Sequence, residues 1–324
     1  MFKPLSIFAA MLAFCVVVLG AYVRLSDAGL GCPDWPGCYG AISVPQSESA
    51  IQAAQQNYPD KPLQHAKAWK EMAHRYLAGS LGLLIVILAW LAYRSRRAIR
   101  TSWQLSVALV GLVVMQALLG MWTVTLLLKP VIVTLHLLGG MSTLMILCWI
   151  VMRNHLTPSI ALPLNQQWWL RMALLIWLLQ VLLGGWTSSN YAALACTDFP
   201  TCHGLWWPEM DLSDAFHLTR ALGESRDGGQ LHLSALTAIQ WVHRLGALVV
   251  LAWGIISVRI LLQRQTGSCL AWLLLVVLLL QVSLGIANLL LQLPLVLAVL
   301  HNAGAALLGV CLVAVNARLI NTSY

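Results

Sequence analysis

Two stretches, Glu71-Met72-Ala73-His74-Arg75 and Gln240-Trp241-Val242-His243-Arg244, put ionisable side chains at the mouths of long apolar runs. Each His-Arg pair has a second histidine in its own half of the chain, His136 in the first and His301 in the second. Ionisable residues inside a membrane span are costly and are functional candidates by default. Glu71 and Gln240 each precede a histidine by three positions, so each shares a helix face with it. Glutamate can take or give a proton and glutamine cannot. The helix dipole favours a carboxylate in a first turn, which explains where Glu71 sits but not why the halves differ.

Two imidazoles facing each other from neighbouring helices suit bis-histidine ligation of a haem iron, and bundle cores house such groups. The plainer use of a polar residue in a membrane is a hydrogen bond between helices. Four histidines at repeat-equivalent places favour ligation, once in each half. Gly79, Gly139, Gly140, Gly246 and Gly304 would let a flat macrocycle approach the backbone, or serve close helix packing. Arg75 and Arg244 can bind a propionate through paired hydrogen bonds or snorkel to lipid headgroups.

The elements that carry these residues are legible in the composition. Of 324 residues, 60% are hydrophobic and 9% charged, against about 25% charged in a soluble domain. The chain is therefore a polytopic membrane protein. Runs long enough to span a bilayer, at roughly 20 residues, predict eight helices near 5–24, 70–93, 103–128, 131–152, 168–189, 235–262, 269–291 and 295–317. The first run exceeds the apolar region of a signal peptide, about 7–15 residues, and is kept as a span.

The net charge of +8 reflects membrane topology and gives no reason to expect nucleic acid as a partner. Lys3, Arg94, Arg96, Arg97, Arg100, Arg153, Arg259, Arg264 and Arg318 all fall on one side, which the positive-inside rule makes cytoplasmic. Both termini are expected inside and the long loops, about 25–69 and 190–234, outside.

An internal repeat runs through the chain. Leu19-Gly20 through Cys32-Pro33-Asp34-Trp35-Pro36-Gly37-Cys38-Tyr39-Gly40 aligns without a gap on Leu183-Gly184 through Cys196-Thr197-Asp198-Phe199-Pro200-Thr201-Cys202-His203-Gly204. Gln116 to Gly120 matches Gln281 to Gly285, and Pro130 before His136 matches Pro294 before His301. The unit is four helices. Both copies insert in the same direction, related by an axis along the membrane normal. The expected fold is all-α, two pseudosymmetric four-helix bundles, residues 1–160 and 161–324.

Cys32 with Cys38 and Cys196 with Cys202 lie in the outward loops, where an oxidising compartment favours disulfides. Zinc calls for tighter spacing and four ligands per site. Each pair reads either as a loop staple or as a redox-active couple. Cys15, Cys148, Cys269 and Cys311 lie within apolar runs and read as small core residues. His65, His203, His217 and His232 read as solvated loop residues, His155 as a lone residue on the cytoplasmic side, and Trp206-Trp207-Pro208 as an interfacial belt.

Taken together, these features resemble the haem A synthase family, which supplies the haem of aa₃-type cytochrome oxidases. The likeness covers essentially the whole chain. It implies an oxidoreductase of the bacterial cytoplasmic membrane that oxidises the C8 methyl of haem O, through a hydroxymethyl stage, to a formyl group. It further implies that haem b is held by His243 and His301, that haem O is received by His74 and His136, and that Glu71 is the essential carboxylate. The family forms a disulfide at the positions of Cys32 and Cys38. With no soluble domain to bind nucleotide or flavin, an external electron donor is expected, with haem O synthase and oxidase assembly factors as candidate partners beside the lipid bilayer. A dihaem electron-transfer cytochrome is the alternative, and a haem carrier a third reading.

Overall fold

The computed structural model describes residues 1–97, 103–155, 159–225 and 229–321. It is an all-α integral membrane protein, with ten α-helices among the described residues: α1 (Phe2–Leu25), α2 (Glu48–Asn57), α3 (His65–Arg94), α4 (Trp103–Thr125), α5 (Pro130–Asn154), α6 (Leu164–Ser189), α7 (Leu212–Ala215), α8 (Leu233–Leu262), α9 (Ser268–Leu290) and α10 (Leu295–Asn316). All but α2 and α7 are long and apolar enough to cross a membrane, matching the eight predicted runs. The helices α3 and α6 begin about one turn earlier than the apolar runs, so His65 opens α3 instead of lying in a loop.

The short helices have local causes. The Ser47 hydroxyl accepts the Ala50 N–H at the start of α2, and the Asp211 carboxylate accepts the Asp214 N–H at the start of α7; such caps satisfy amides that have no partner within the helix. Pro130 stands at the first position of α5, where its missing N–H costs nothing. One feature departs from the all-α expectation: β1 (Ile160–Leu162) pairs in parallel with β2 (Leu319–Asn321), Ile160 opposite Leu319.

In the first half α1 packs on α3 and α5, and α4 on α3 and α5; in the second, α6 and α9 each pack on α8 and α10. The halves meet where α5 packs on α6 and α10, and α1 on α10. Hydroxyls of Thr134 and Ser189 lie 3.2 Å apart there; within the second half the Trp177 indole donates to the Ala305 carbonyl at 2.8 Å. The Arg24 guanidinium donates to the Tyr191 hydroxyl at 2.9 Å and sits 4.4 Å above that ring.

The repeat is visible in the backbone. Tyr39 and His203 both take left-handed φ, 56° and 54°, followed by Gly40 and Gly204 at 77° and 75°, and the turns before α5 and α10 repeat this with Leu127-Leu128 and Gln292-Leu293. Asp34 accepts the N–H groups of Tyr39 and Gly40, and Asp198 those of His203 and Gly204. The disulfide turns and the turns before α5 and α10 fold alike in the two halves.

The solid core fills the end away from the disulfide loops, with Ile85, Leu109, Met141, Leu144, Leu147, Ile150, Leu170 and Leu261 all fully buried. The arginines predicted to be cytoplasmic cap this end, at or after the C-termini of α3, α5, α8 and α10; Arg100 lies outside the described residues. Cys148 and Cys311 are buried as expected, but Cys15 and Cys269 are exposed on the outer apolar surface. On a lipid-facing helix an apolar run has two destinations, and hydropathy does not separate them.

Candidate functional site

At the disulfide end the bundles are hollow. One cavity of about 1930 Å³ is lined by His74, His136, His243 and His301 together with Glu71, Arg75, Gln240 and Arg244. Ligand pockets usually hold about 300–1,000 Å³, so this one has room for two large ligands. His74 and Glu71 come from α3, His136 from α5, His243 and Gln240 from α8, and His301 from α10.

Each imidazole lies on a glycine of the neighbouring helix. A Cβ added to Gly20 would meet Cε1 of His74 at 2.9 Å, one on Gly120 would meet His136 at 3.4 Å, one on Gly184 would meet His243 at 3.2 Å, and one on Gly285 would meet His301 at 3.0 Å. All four rings thus rest against bare backbone. His74 and His136 are close enough to interact electrostatically, and so are His243 and His301. The structure brings the histidines together two by two, but from helices that lie across each bundle from one another, α3 and α5 in the first and α8 and α10 in the second, and not from neighbouring helices.

The cavity suits a ligated macrocycle by a further test. The Nδ1 atoms of His74, His136 and His301 are buried and have no partner among the described residues. Buried polar atoms are normally satisfied, and hydrocarbon offers no water to do it. Imidazole nitrogens, apolar walls and flanking guanidinium groups form a donor set that fits haem. Gly79 faces open space, as a flat ring requires, whereas Cβ atoms at Gly139, Gly246 and Gly304 would run into glutamine side chains. Those three glycines admit an amide and not a macrocycle.

The halves part company at Glu71. This side chain is 4% exposed, accepts the Cys32 N–H at 2.8 Å and forms an ion pair with Arg75. Gln240 is also buried, yet its Oε1 has no partner among the described residues. Arg75 donates to the carbonyls of Asp34 at 2.9 Å and Gly37 at 2.6 Å. Arg244 donates to those of Thr201 at 2.8 Å and Cys196 at 2.9 Å. Both arginines therefore clamp a disulfide loop onto the histidine helix, a use that the sequence did not suggest.

The disulfides Cys32–Cys38 and Cys196–Cys202 are both formed and fully buried. His203 lies near the second pair, but sulfurs bonded to each other offer no thiolate to a metal, and its ring meets the Thr237 hydroxyl at 3.3 Å. His65 and His232 are exposed, and His217 is half-buried beside Thr219. Trp206 and Trp207, each 71% exposed, stand at the rim of the cavity.

The loop aspartates were not read as functional, although an Asp followed at six residues by Gly in both repeats is a legible turn signal. The Asp198 carboxyl is held well below the usual range, first by the Thr201 hydroxyl and then by the Gly204 N–H. Gln116 and Gln281 mark the repeat in the sequence, but nothing there places them beside the histidines.

A family model described as COX15-CtaA, cytochrome oxidase assembly protein, matches residues 3–313. The chain is 43% identical to a protein named Heme A synthase from Shewanella oneidensis, over 93% of this chain and 91% of that one. It is 29% identical to a protein of the same name from Caulobacter sp. (92% and 90% covered) and 30% identical to one from Mesorhizobium japonicum (91% and 84%). With its histidines paired across a duplicated bundle and a family match over almost its full length, the chain belongs to the COX15-CtaA family of cytochrome oxidase assembly proteins.

Proposed function

We propose that the protein is a haem A synthase, oxidising the C8 methyl of haem O to a formyl group through a hydroxymethyl stage. The observation that carries the reading is the pairing of duplicated histidine seats with a carboxylate in one half only. Residues 1–160 form the substrate half, where His74 and His136 bind haem O. Residues 161–324 form the cofactor half, where His243 and His301 hold haem b. When bound, haem b supplies one-electron transfer. The relatives' shared name supports the assignment.

Glu71 is the group that moves protons: with oxygen as oxidant and an external donor, each stage puts one oxygen atom on the methyl carbon and reduces the other to water with two electrons and two protons. The Cys32 amide and Arg75 fix its carboxylate beside His74. Apolar walls keep water from the reacting edge. Arg75 and Arg244 each keep N–H donors beyond those given to the loops, and these would be available to haem propionates. Both termini are cytoplasmic and the disulfide loops outward, and electrons arrive from an external donor. Haem O synthase and oxidase assembly factors are the partners at the bilayer.

The alternative, a dihaem electron-transfer cytochrome, draws on the matching histidine seats but leaves the Glu71 contacts without a purpose. One experiment separates them. Purified protein is given haem O, oxygen and a reductant, and extracted haems are analysed by mass. Hydroxylated and formylated haem is the expected product; unaltered haem under conditions that reduce the bound haem favours the cytochrome.

A further inference from the structure

Glutamines lie beside the histidine seats. Gln116, Gln180 and Gln281 each stand four residues, one turn, before the glycine on which a histidine rests: Gly120, Gly184 and Gly285. Each amide enters space left by a second glycine, three residues after that histidine. Cβ atoms at Gly139, Gly246 and Gly304 would collide with Gln116, Gln180 and Gln281 respectively. The Gln180 amide nitrogen lies 3.1 Å from Nδ1 of His243 and 3.0 Å from its carbonyl oxygen. That of Gln281 lies 3.4 Å from Nε2 of His301, the other ring nitrogen. The amide oxygens of Gln180 and Gln281 and the amide nitrogen of Gln116 are buried without a partner among the described residues.

The fourth seat lacks both parts. The residue four before Gly20 is Val16, and the residue three after His74 is Leu77. Among the described residues Nδ1 of His74 has no partner, a state it shares with Nδ1 of His136 and His301; what sets this seat apart is the missing glutamine and glycine. A ligating imidazole uses one ring nitrogen, and a hydrogen bond to the other fixes its orientation and raises its basicity. An amide can turn either end toward the ring, and the unpartnered oxygens are acceptors for an imidazole N–H.

We infer that Gln180 and Gln281, and Gln116 by its equivalent place, are positioning residues for three of the four histidines, and that His74, whose seat has neither glutamine nor second glycine, is the weakest-held ligand, the one that yields when the haem of the first half is exchanged. This rests on the haem reading above. It gives the cofactor half two braced ligands and the substrate half one braced and one unbraced, as expected where one haem stays and the other must leave.

The test uses full-length protein in detergent, loaded with haem. Midpoint potential, low-spin electron paramagnetic resonance and the rate of haem loss to an apoglobin scavenger are measured. Gln180→Leu and Gln281→Leu are expected to raise the potential, because a less basic imidazole favours ferrous iron, and to speed haem loss about 10-fold. The double variant Val16→Gln with Leu77→Gly, loaded with haem O, is expected to slow loss from the first half by about as much. Should a leucine variant fail to hold haem, Gln180→Glu keeps the side chain's shape and is expected to lower the potential. Unchanged potentials and loss rates throughout overturn the inference. If His243→Ala and His301→Ala instead keep their haem and its spectrum, the ligation reading itself is what fails.

Discussion

The Glu71 carboxylate accepts the backbone N–H of Cys32 at 2.8 Å across 39 residues of sequence. It thereby joins the first disulfide loop to the helix that carries His74. In the second half Gln240 makes no such bond among the described residues, and Arg244 reaches the Cys196 carbonyl instead. The same loop is held in both halves, but in only one is the holder able to carry a proton.

Glu71→Gln makes the first half imitate the second at this position. Haem content is expected to stay near that of the parent protein while formation of haem A falls at least about 100-fold, the lower range for a lost proton-transfer group. Haem extraction with mass analysis checks both quantities in one preparation. Full turnover by the variant would remove Glu71 from the chemistry.

Alanine at the histidines should divide the protein by halves. His243→Ala or His301→Ala is expected to lose the resident haem, seen as loss of the low-spin absorption spectrum after purification. His74→Ala or His136→Ala is expected to keep that spectrum and to make no haem A. A spectrum lost equally from all four variants would contradict the division of labour.

The disulfides close loops of the same length, so their removal should cost similar stability, about 2 kcal/mol each on a chain-entropy estimate. Function should separate them. Cys32→Ser with Cys38→Ser disturbs the amide that holds Glu71 and is expected to slow turnover. Cys196→Ser with Cys202→Ser is expected to lower the unfolding temperature and leave turnover under assay conditions near normal. Equal loss of turnover in the two double variants would point to a redox role shared by both pairs.

Asp198 supplies a pH prediction. Its folded-state acidity is increased by the Thr201 hydroxyl and by the Gly204 and His203 amides. Its contribution to stability is therefore present above the ordinary aspartate value, about 3.9, and is lost as pH falls through the lower folded value. Asp198→Asn should unfold at a lower temperature than the parent near neutral pH, with the gap closing on acidification below that value. Thermal unfolding in detergent across pH follows it; a gap independent of pH would show that the carboxylate's charge is not what the loop uses.

Much of this architecture was written plainly in the chain. Apolar runs of bilayer length specify eight helices because hydrocarbon leaves a backbone few other ways to satisfy itself. The histidines could be placed at matching depth by counting residues from the helix ends. What lay beyond reading was lateral. Gln116 and Gln281 stood out as marks of the repeat, but only packing shows that they sit against Gly139 and Gly304 on the next helix. Arg75 and Arg244 read as groups for anions or headgroups, because nothing in a linear chain reveals that loop carbonyls 38 and 43 residues away lie within reach. The strands β1 and β2 are three residues each, too short for alternation to announce them.

That small strand pair has a mechanical consequence. It stitches the connector between the bundles to the tail of the last helix, and Arg153 adds a bond to the Ala317 carbonyl nearby at 3.3 Å. The bundles are thus pinned at the end remote from the histidines. Toward the other end the seam is closed by packing, with Leu137 and Thr134 of α5 against Gly185 of α6, and by the contacts of Thr134 with Ser189 and Arg24 with Tyr191.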